Sequence, residues 1–324
     1  MKDFVYFRIM QPLKSPNNSP GISLVILFGL VLLCSFSLQL IALLGYAALF
    51  TNEGDLLHNV QHTMAFGSGS STGFMYTMLA TSSISTFLLP PIILQFIERN
   101  SAIEYLPMSG RTPALFFGLA VIFLITFSPA LNLIGEWNRA MQLPESWNAV
   151  EEWMRLKEDE MALLTSNLVM SDSLSRLALN LLTIAVLPAI AEEFFFRGAI
   201  QNILGRWIAN QHVVVWITAI VFSAIHVQFF GFFPRLLLGA IFGYMLLLTR
   251  NIWIPILAHF VNNATVVIVA FFYTKKGYTY QQLMTEDTYH LSLYFVSLIA
   301  SVAVGWYFYR QSTKLKLKLW NQAG

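Results

Sequence analysis

LSRLALNLLTIAVLPAIAEEFFFRGAIQNIL, residues 174–204, is long and apolar enough to cross a membrane, yet it carries Glu192, Glu193 and Arg197. An ionised side chain at bilayer depth costs about 2.5–3.5 kcal/mol on insertion scales, so such residues usually face a bundle interior and mark a site. The surrounding chain has the same character. It is 56% hydrophobic, 15% aromatic and only 11% charged over 324 residues, which places it among polytopic membrane proteins. A formal charge of +2, with basic residues scattered rather than clustered, argues against nucleic acid as a partner. The single cysteine, Cys34, lies in the first apolar segment and leaves no intramolecular disulfide to form.

A span needs about 20 apolar residues. By that rule the chain reads as an all-α transmembrane bundle of about eight spans, near residues 22–50, 72–97, 113–135, 174–204, 212–229, 233–249, 252–273 and 289–309. The uncharged run Gly21 to Phe50 is too long for a signal-peptide core and is expected to stay as an uncleaved span. Cytoplasmic loops gather Lys and Arg. Placing both termini inside puts Lys2, Arg8, Lys14, Arg99, Arg111, Arg206, Arg250, Arg310, Lys314, Lys316 and Lys318 on the cytoplasmic side. The organisation expected is an N-terminal part, 1–170, with three spans and an external amphipathic segment; a motif-bearing core, 171–275; and a last span with a basic tail, 276–324.

Three connecting or terminal segments have a physical reading of their own. Thr51 to Gly73 lacks Lys and Arg and ends in a Gly/Ser run, which suits a flexible external loop rather than a phosphate cradle. Pro144 to Asn167 alternates Trp147, Val150, Trp153 and Met154 with charges; it reads either as an amphipathic helix on the outer interface or as a charged linker helix. The tail from Lys314 to Trp320 reads as a juxtamembrane anchor.

Polar residues recur in the fourth, fifth and seventh spans at helical spacing. Glu193 and Arg197, four apart, share a helix face and can pair, leaving Glu192 about 100° around the helix and free for another partner. His226 follows Phe222 by four, and Asn263 follows His259 by four. Counted at 1.5 Å per residue from the nearest turns on one side, Glu192 and His226 lie roughly 20 Å deep and His259 and Asn263 roughly 12–18 Å deep. Residues scattered for structural reasons would have no cause to agree in level. The Glu193–Arg197 pair reads as structural, whereas Glu192, His226, His259 and Asn263 together read as functional. A glutamate helped by a histidine can take a proton from water, and a second histidine with an asparagine can donate hydrogen bonds to a tetrahedral oxyanion. Such a hydrolase needs neither Ser, Cys nor metal. Gly239 and Gly243 suit close helix packing, and Pro188 is expected to kink the helix beside the carboxylates.

The motifs Glu192-Glu193-Phe-Phe-Phe-Arg197, Phe222-Ser-Ala-Ile-His226 and His259-Phe-Val-Asn-Asn263, in this order and on separate spans, resemble the CPBP family of intramembrane glutamic endopeptidases. That family contains the type II CAAX prenyl proteases and the bacteriocin-processing or self-immunity proteins. The resemblance covers about residues 180 to 265. It implies that Glu192 is the general base, that His226 assists it, that His259 and Asn263 stabilise the oxyanion, and that Glu193, Arg197 and Phe222 support them. It implies no cofactor and no metal, and a peptide or membrane-protein substrate met in the lipid bilayer.

Three other readings remain open at this stage. Glu192, Glu193, His226 and His259 are a conceivable metal-ligand set for hydrolysis. A scaffold or immunity protein could bind a peptide or partner helix in the same cavity. A transporter is less well supported, because no internal repeat is visible. Zinc, serine and aspartyl intramembrane protease motifs are absent from the sequence. The short loops suit a bacterial inner membrane, and the sequence sets no oligomeric state.

Overall fold

The structure, a computed structural model, describes residues 18–50, 72–98, 112–285 and 289–323, with no side-chain account for 284–285 and 316–323. The expected external loop up to residue 71, Lys2, Arg8, Lys14, Arg99 and Arg111, and the side chains of Lys316, Lys318 and Trp320 lie outside what is described. The chain forms α1 (Pro20–Phe50), α2 (Thr72–Ile97), α3 (Leu115–Arg139), α4 (Asn148–Val169), α5 (Leu174–Trp207), α6 (Gln211–Ala224), α7 (Phe232–Thr249), α8 (Trp253–Lys275), α9 (Tyr280–Thr285) and α10 (Leu291–Ala323). Among the described residues, α1, α2, α3, α5, α7 with the turn before it, α8 and α10 are long and apolar enough to cross a membrane. The protein is therefore an all-α integral membrane bundle close to the eight-span expectation. The departure is α6, which ends at Ala224 rather than continuing to residue 229. Its 14 residues rise only about 21 Å, short of a hydrocarbon core of about 30 Å.

Local chemistry sets the helix ends. Asn210 starts α6 by accepting hydrogen bonds from the N–H groups of His212 and Val213 at 3.0 and 3.4 Å. Arg250, in the left-handed region at φ 55°, closes α7, its N–H donating to the Leu246 carbonyl at 2.7 Å. Asn251 then accepts from the Trp253 N–H at 3.0 Å to open α8.

The bundle is centred on α8: 50% of its most apolar window is buried inside the protein, against 11% for α1. Lipid is as apolar as leucine, so these helices associate through close packing and hydrogen bonds rather than through escape from water. Between α6 and α7 the packing is backbone-close. A Cβ on Gly239 would stand 3.2 Å from the Ala219 Cα and 3.0 Å from the Phe222 ring. One apolar cluster joins α3, α7, α8 and α10 through Phe116, Phe242, Ile254 and Phe308. Another joins α1, α2, α5 and α6 through Leu27, Leu94, Phe196 and Phe222.

The contact between α3 and α10 shows how a proline is accommodated. Pro129 interrupts the α3 hydrogen-bond ladder. Ser297 of α10 enters the break, its Oγ accepting from the Ala130 N–H at 3.2 Å and donating to the Thr126 carbonyl at 2.6 Å. Ser297→Ala strands both buried groups, and a loss of about 1–3 kcal/mol in stability is expected in detergent unfolding, with helix content unchanged by circular dichroism.

The segment expected to be an interfacial or a linker helix is α4. It covers the chain between α6 and α7: Trp153 packs on Phe229 with centroids 5.5 Å apart, and the Arg155 guanidinium lies 4.3 Å over the Phe230 ring. At its start the Glu151 carboxylate accepts from the Leu143 N–H at 2.7 Å and from Arg155 Nε at 2.9 Å. Those bonds, the backbone one first, hold its carboxyl below the usual glutamate range. A depressed folded-state value means that this clasp is fully present above the ordinary glutamate value of about 4.3 and is lost as pH falls through the lower folded value. Hydrogen exchange at Leu143, corrected for intrinsic rate, should be flat from neutrality to mild acid and rise only below it.

Candidate active site

The site forms where the two apolar clusters meet. Glu193 is fully buried in α5, and its Oε1 accepts from Arg197 Nη1 at 2.9 Å. Arg197 is buried as well; Nη2 donates to the Gly239 carbonyl of α7 at 2.6 Å, and the guanidinium lies 4.9 Å over the Phe222 ring. A pair of this kind survives in an apolar interior only with further hydrogen bonds to its members; Glu193 Oε2 and Arg197 Nε are buried here without a protein partner. Gly239 contributes here too, because its lack of a side chain lets α7 present that carbonyl. One turn further along α5, Gln201 Nε2 makes the matching bond to the Gly243 carbonyl at 3.2 Å.

His259 of α8 reaches the same carboxylate. Its Nδ1 lies 3.0 Å from Glu193 Oε1. With an acceptor there, Nδ1 carries the proton, and Nε2 is turned toward Glu192, whose Oε2 is 3.9 Å away. Phe242 stacks on the His259 ring at 5.2 Å and Phe222 meets it edge-on at 6.0 Å, one ring from each apolar cluster. Glu192 Oε2 is buried and has no hydrogen-bond partner among protein atoms.

His226 stands just past the end of α6. Its Nδ1 lies 2.8 Å from the Phe222 carbonyl, so Nδ1 donates and Nε2 is left bare. Glu192, His259 and Arg235 are its charged and titratable neighbours. Asn263 is tied differently. Pro188 has no N–H to offer the Ile184 carbonyl one turn back, and Asn263 Nδ2 donates to that oxygen at 3.1 Å. Asn262 Nδ2 donates to Asn263 Oδ1 at 3.1 Å, which fixes the amide and leaves its second N–H available. Direct contacts therefore join Glu193, Arg197, His259 and Phe222, with Glu192 3.9 Å from His259 and His226 attached through Phe222; Asn263 touches the helix that carries the glutamates rather than the glutamates themselves. Among the described residues, no group of three or more His, Cys, Asp and Glu side chains is placed to hold a metal ion.

Sequence reasoning passed over Asn262 and Arg235. Asn262 had no spacing signal. Arg235 had one, a lone cation inside the apolar run 229–249.

Among curated proteins, the Bacillus subtilis (strain 168) protein named "Uncharacterized protein YpbD" is 27% identical over 89 residues, covering 26% of this chain and 42% of that relative. The alignment thus spans less than half the length of the relative. No solved structure matches the chain. Residues 174–265, the segment that carries all three motifs, match the family model described as type II CAAX prenyl endopeptidase Rce1-like, in agreement with the resemblance of those motifs to the CPBP family.

Proposed function

We propose that this protein is an intramembrane glutamic endopeptidase in which Glu192 activates water to cleave a peptide bond. The observation that carries the reading is the Glu192 Oε2 atom, buried, without a protein partner, and 3.9 Å from His259 Nε2. A separation of that size between two polar atoms suits a bridging water. Glu192 takes the proton of that water as its oxygen attacks the carbonyl carbon, and His226 accepts a second hydrogen bond at its bare Nε2 and orients the attack. Stabilisation of the developing oxyanion falls to a proton on His259 Nε2 and the second N–H of Asn263. Glu192 returns its proton to the leaving amine as the C–N bond breaks. Glu193 and Arg197 hold His259 and brace α5 against α7.

The substrate of this reading is a peptide or membrane protein met in the bilayer. The helices that bear Glu192 and His259 border an apolar groove of about 480 Å³ lined by Phe117, Val186, Ile190, Trp253, Ile256 and Phe260 among others, which supports entry of an apolar chain from the lipid. The family description makes a prenylated C-terminal peptide one candidate. The excess of Lys and Arg at the ends supports cytoplasmic termini in a cell membrane.

The test uses isolated membranes. Cleavage by the wild-type protein should persist after exhaustive chelation and fall by roughly 10²–10⁴ in Glu192→Gln. Loss of cleavage on chelation would instead favour metal-dependent hydrolysis by the same side chains. Equal cleavage by Glu192→Gln overturns the proposal, and a deletion phenotype that Glu192→Gln fully rescues favours a scaffold or immunity role.

A further inference from the structure

The segment between α6 and α7 is held from three sides, and its contacts from α3, α4 and Arg235 of α7 lie outside the three motifs. α6 closes with backbone bonds that reach back three residues, His226 N–H to the Ser223 carbonyl at 3.4 Å and Val227 N–H to the Ala224 carbonyl at 3.1 Å. Val227 then adopts φ 52°, in the left-handed region. A β-branched residue there is a genuine outlier, and such strain persists only where surrounding contacts impose it. The residue carrying the strain is the immediate neighbour of His226.

The contacts that impose it are on the next residues. Arg235 of α7 reaches back to Gln228 with two donors, Nη1 to Gln228 Oε1 at 2.8 Å and Nη2 in a short bond to the Gln228 backbone carbonyl. Its guanidinium lies against Gly231, where a Cβ would come within 2.8 Å of Nη1 and would push the guanidinium aside. From α3, Asn138 Nδ2 donates to the Phe229 carbonyl at 3.1 Å and its Oδ1 accepts from the Phe233 N–H at 3.0 Å. From α4, Glu158 faces the Phe230 backbone, and Trp153 and Arg155 cover Phe229 and Phe230. Ser223 Oγ ties α6 to the Phe232 carbonyl at 2.6 Å. Of these, the Arg235 grip on Gln228 acts closest to the strained residue.

We propose that Arg235 is a positioning residue for His226: by gripping both acceptors of Gln228 it keeps Val227 left-handed and so fixes the ring of His226 toward Glu192. The proposal rests on the reading that His226 assists Glu192. It explains why a guanidinium is kept inside an apolar segment, and why two donors in a fixed fork are needed where a lysine would offer a point charge.

Two readouts test it. The first is ¹⁵N NMR of histidine-labelled protein in lipid nanodiscs, with the His226 signals assigned by His226→Gln. Wild type should show one tautomer, protonated at Nδ1; Arg235→Met should show exchange between tautomers, and Arg235→Lys an intermediate pattern. The second is the rate at which Glu192-dependent fragment ends appear in membranes. Arg235→Met should lower it by about 10- to 100-fold, the scale of a misplacement of about 1 Å, and Arg235→Lys by less. Adding Val227→Gly to Arg235→Met should recover about 5- to 10-fold, because glycine adopts the left-handed conformation at no steric cost. A wild-type His226 spectrum in Arg235→Met, or a Val227→Gly addition that recovers nothing, overturns the positioning role. A shifted spectrum with no Glu192-dependent cleavage in any protein leaves the positioning role standing and removes the protease reading instead.

Discussion

Arg197→Met is expected to remove most folded protein from the membrane. The substitution leaves Glu193, with no exposed surface, facing an apolar interior without its cation, and it also strips the Gly239 carbonyl of its donor at 2.6 Å. Breaking one side of a buried pair costs about 3–5 kcal/mol, because the remaining charge is uncompensated. Native stabilities are only about 5–15 kcal/mol, so that loss is a large share of the total. The double variant Glu193→Gln/Arg197→Met removes the stranded charge and should regain much of the loss, a coupling measurable as a double-mutant cycle in detergent unfolding. Additive losses would show that the pair is not the brace of α5. The double variant should remain without cleavage even when folded, since His259 Nδ1 then meets an amide in place of a carboxylate.

The second large effect is expected at His259, and on rate rather than on folding. His259→Gln keeps a polar chain of similar reach, and Glu193 keeps Arg197 as a partner, so stability should fall by only about 1–3 kcal/mol. Cleavage should fall by roughly 10²–10⁴. An imidazole joins the two carboxylates through opposite ring nitrogens, 3.0 Å to Glu193 and 3.9 Å to Glu192. No carboxamide spans the two carboxylates with that rigid ring geometry. Near-wild-type cleavage by His259→Gln, with the melting temperature measured in parallel, would remove His259 from the chemistry.

Much of the architecture was legible because a membrane span writes itself in hydropathy: the spans expected near 72–97 and 174–204 correspond to α2 (Thr72–Ile97) and α5 (Leu174–Trp207). The fifth was misjudged in length for a definite reason. Ile225, Val227, Phe229 and Phe230 are as apolar as the helix before them, so hydropathy runs on through a turn made by tertiary contacts from Asn138, Glu158 and Arg235. The short α9 (Tyr280–Thr285) gave no signal for the same kind of reason, being too brief to show a period. In the site, spacing foretold the Glu193–Arg197 pair, which is local to one helix. It could not foretell that His259 shares the same glutamate oxygen, nor that Asn263 spends one N–H on the carbonyl Pro188 cannot serve, because both bonds cross between helices.

Under the proposed mechanism, Glu192 is what makes peptide bonds break. The most direct measurement compares the protein ends present in the membranes of cells expressing wild type or Glu192→Gln at matched levels, by mass spectrometry of newly formed termini. New N- and C-terminal ends confined to the wild-type cells, and paired at single peptide bonds, are the predicted result and would name the substrate. Identical sets of ends in the two cell populations would contradict it.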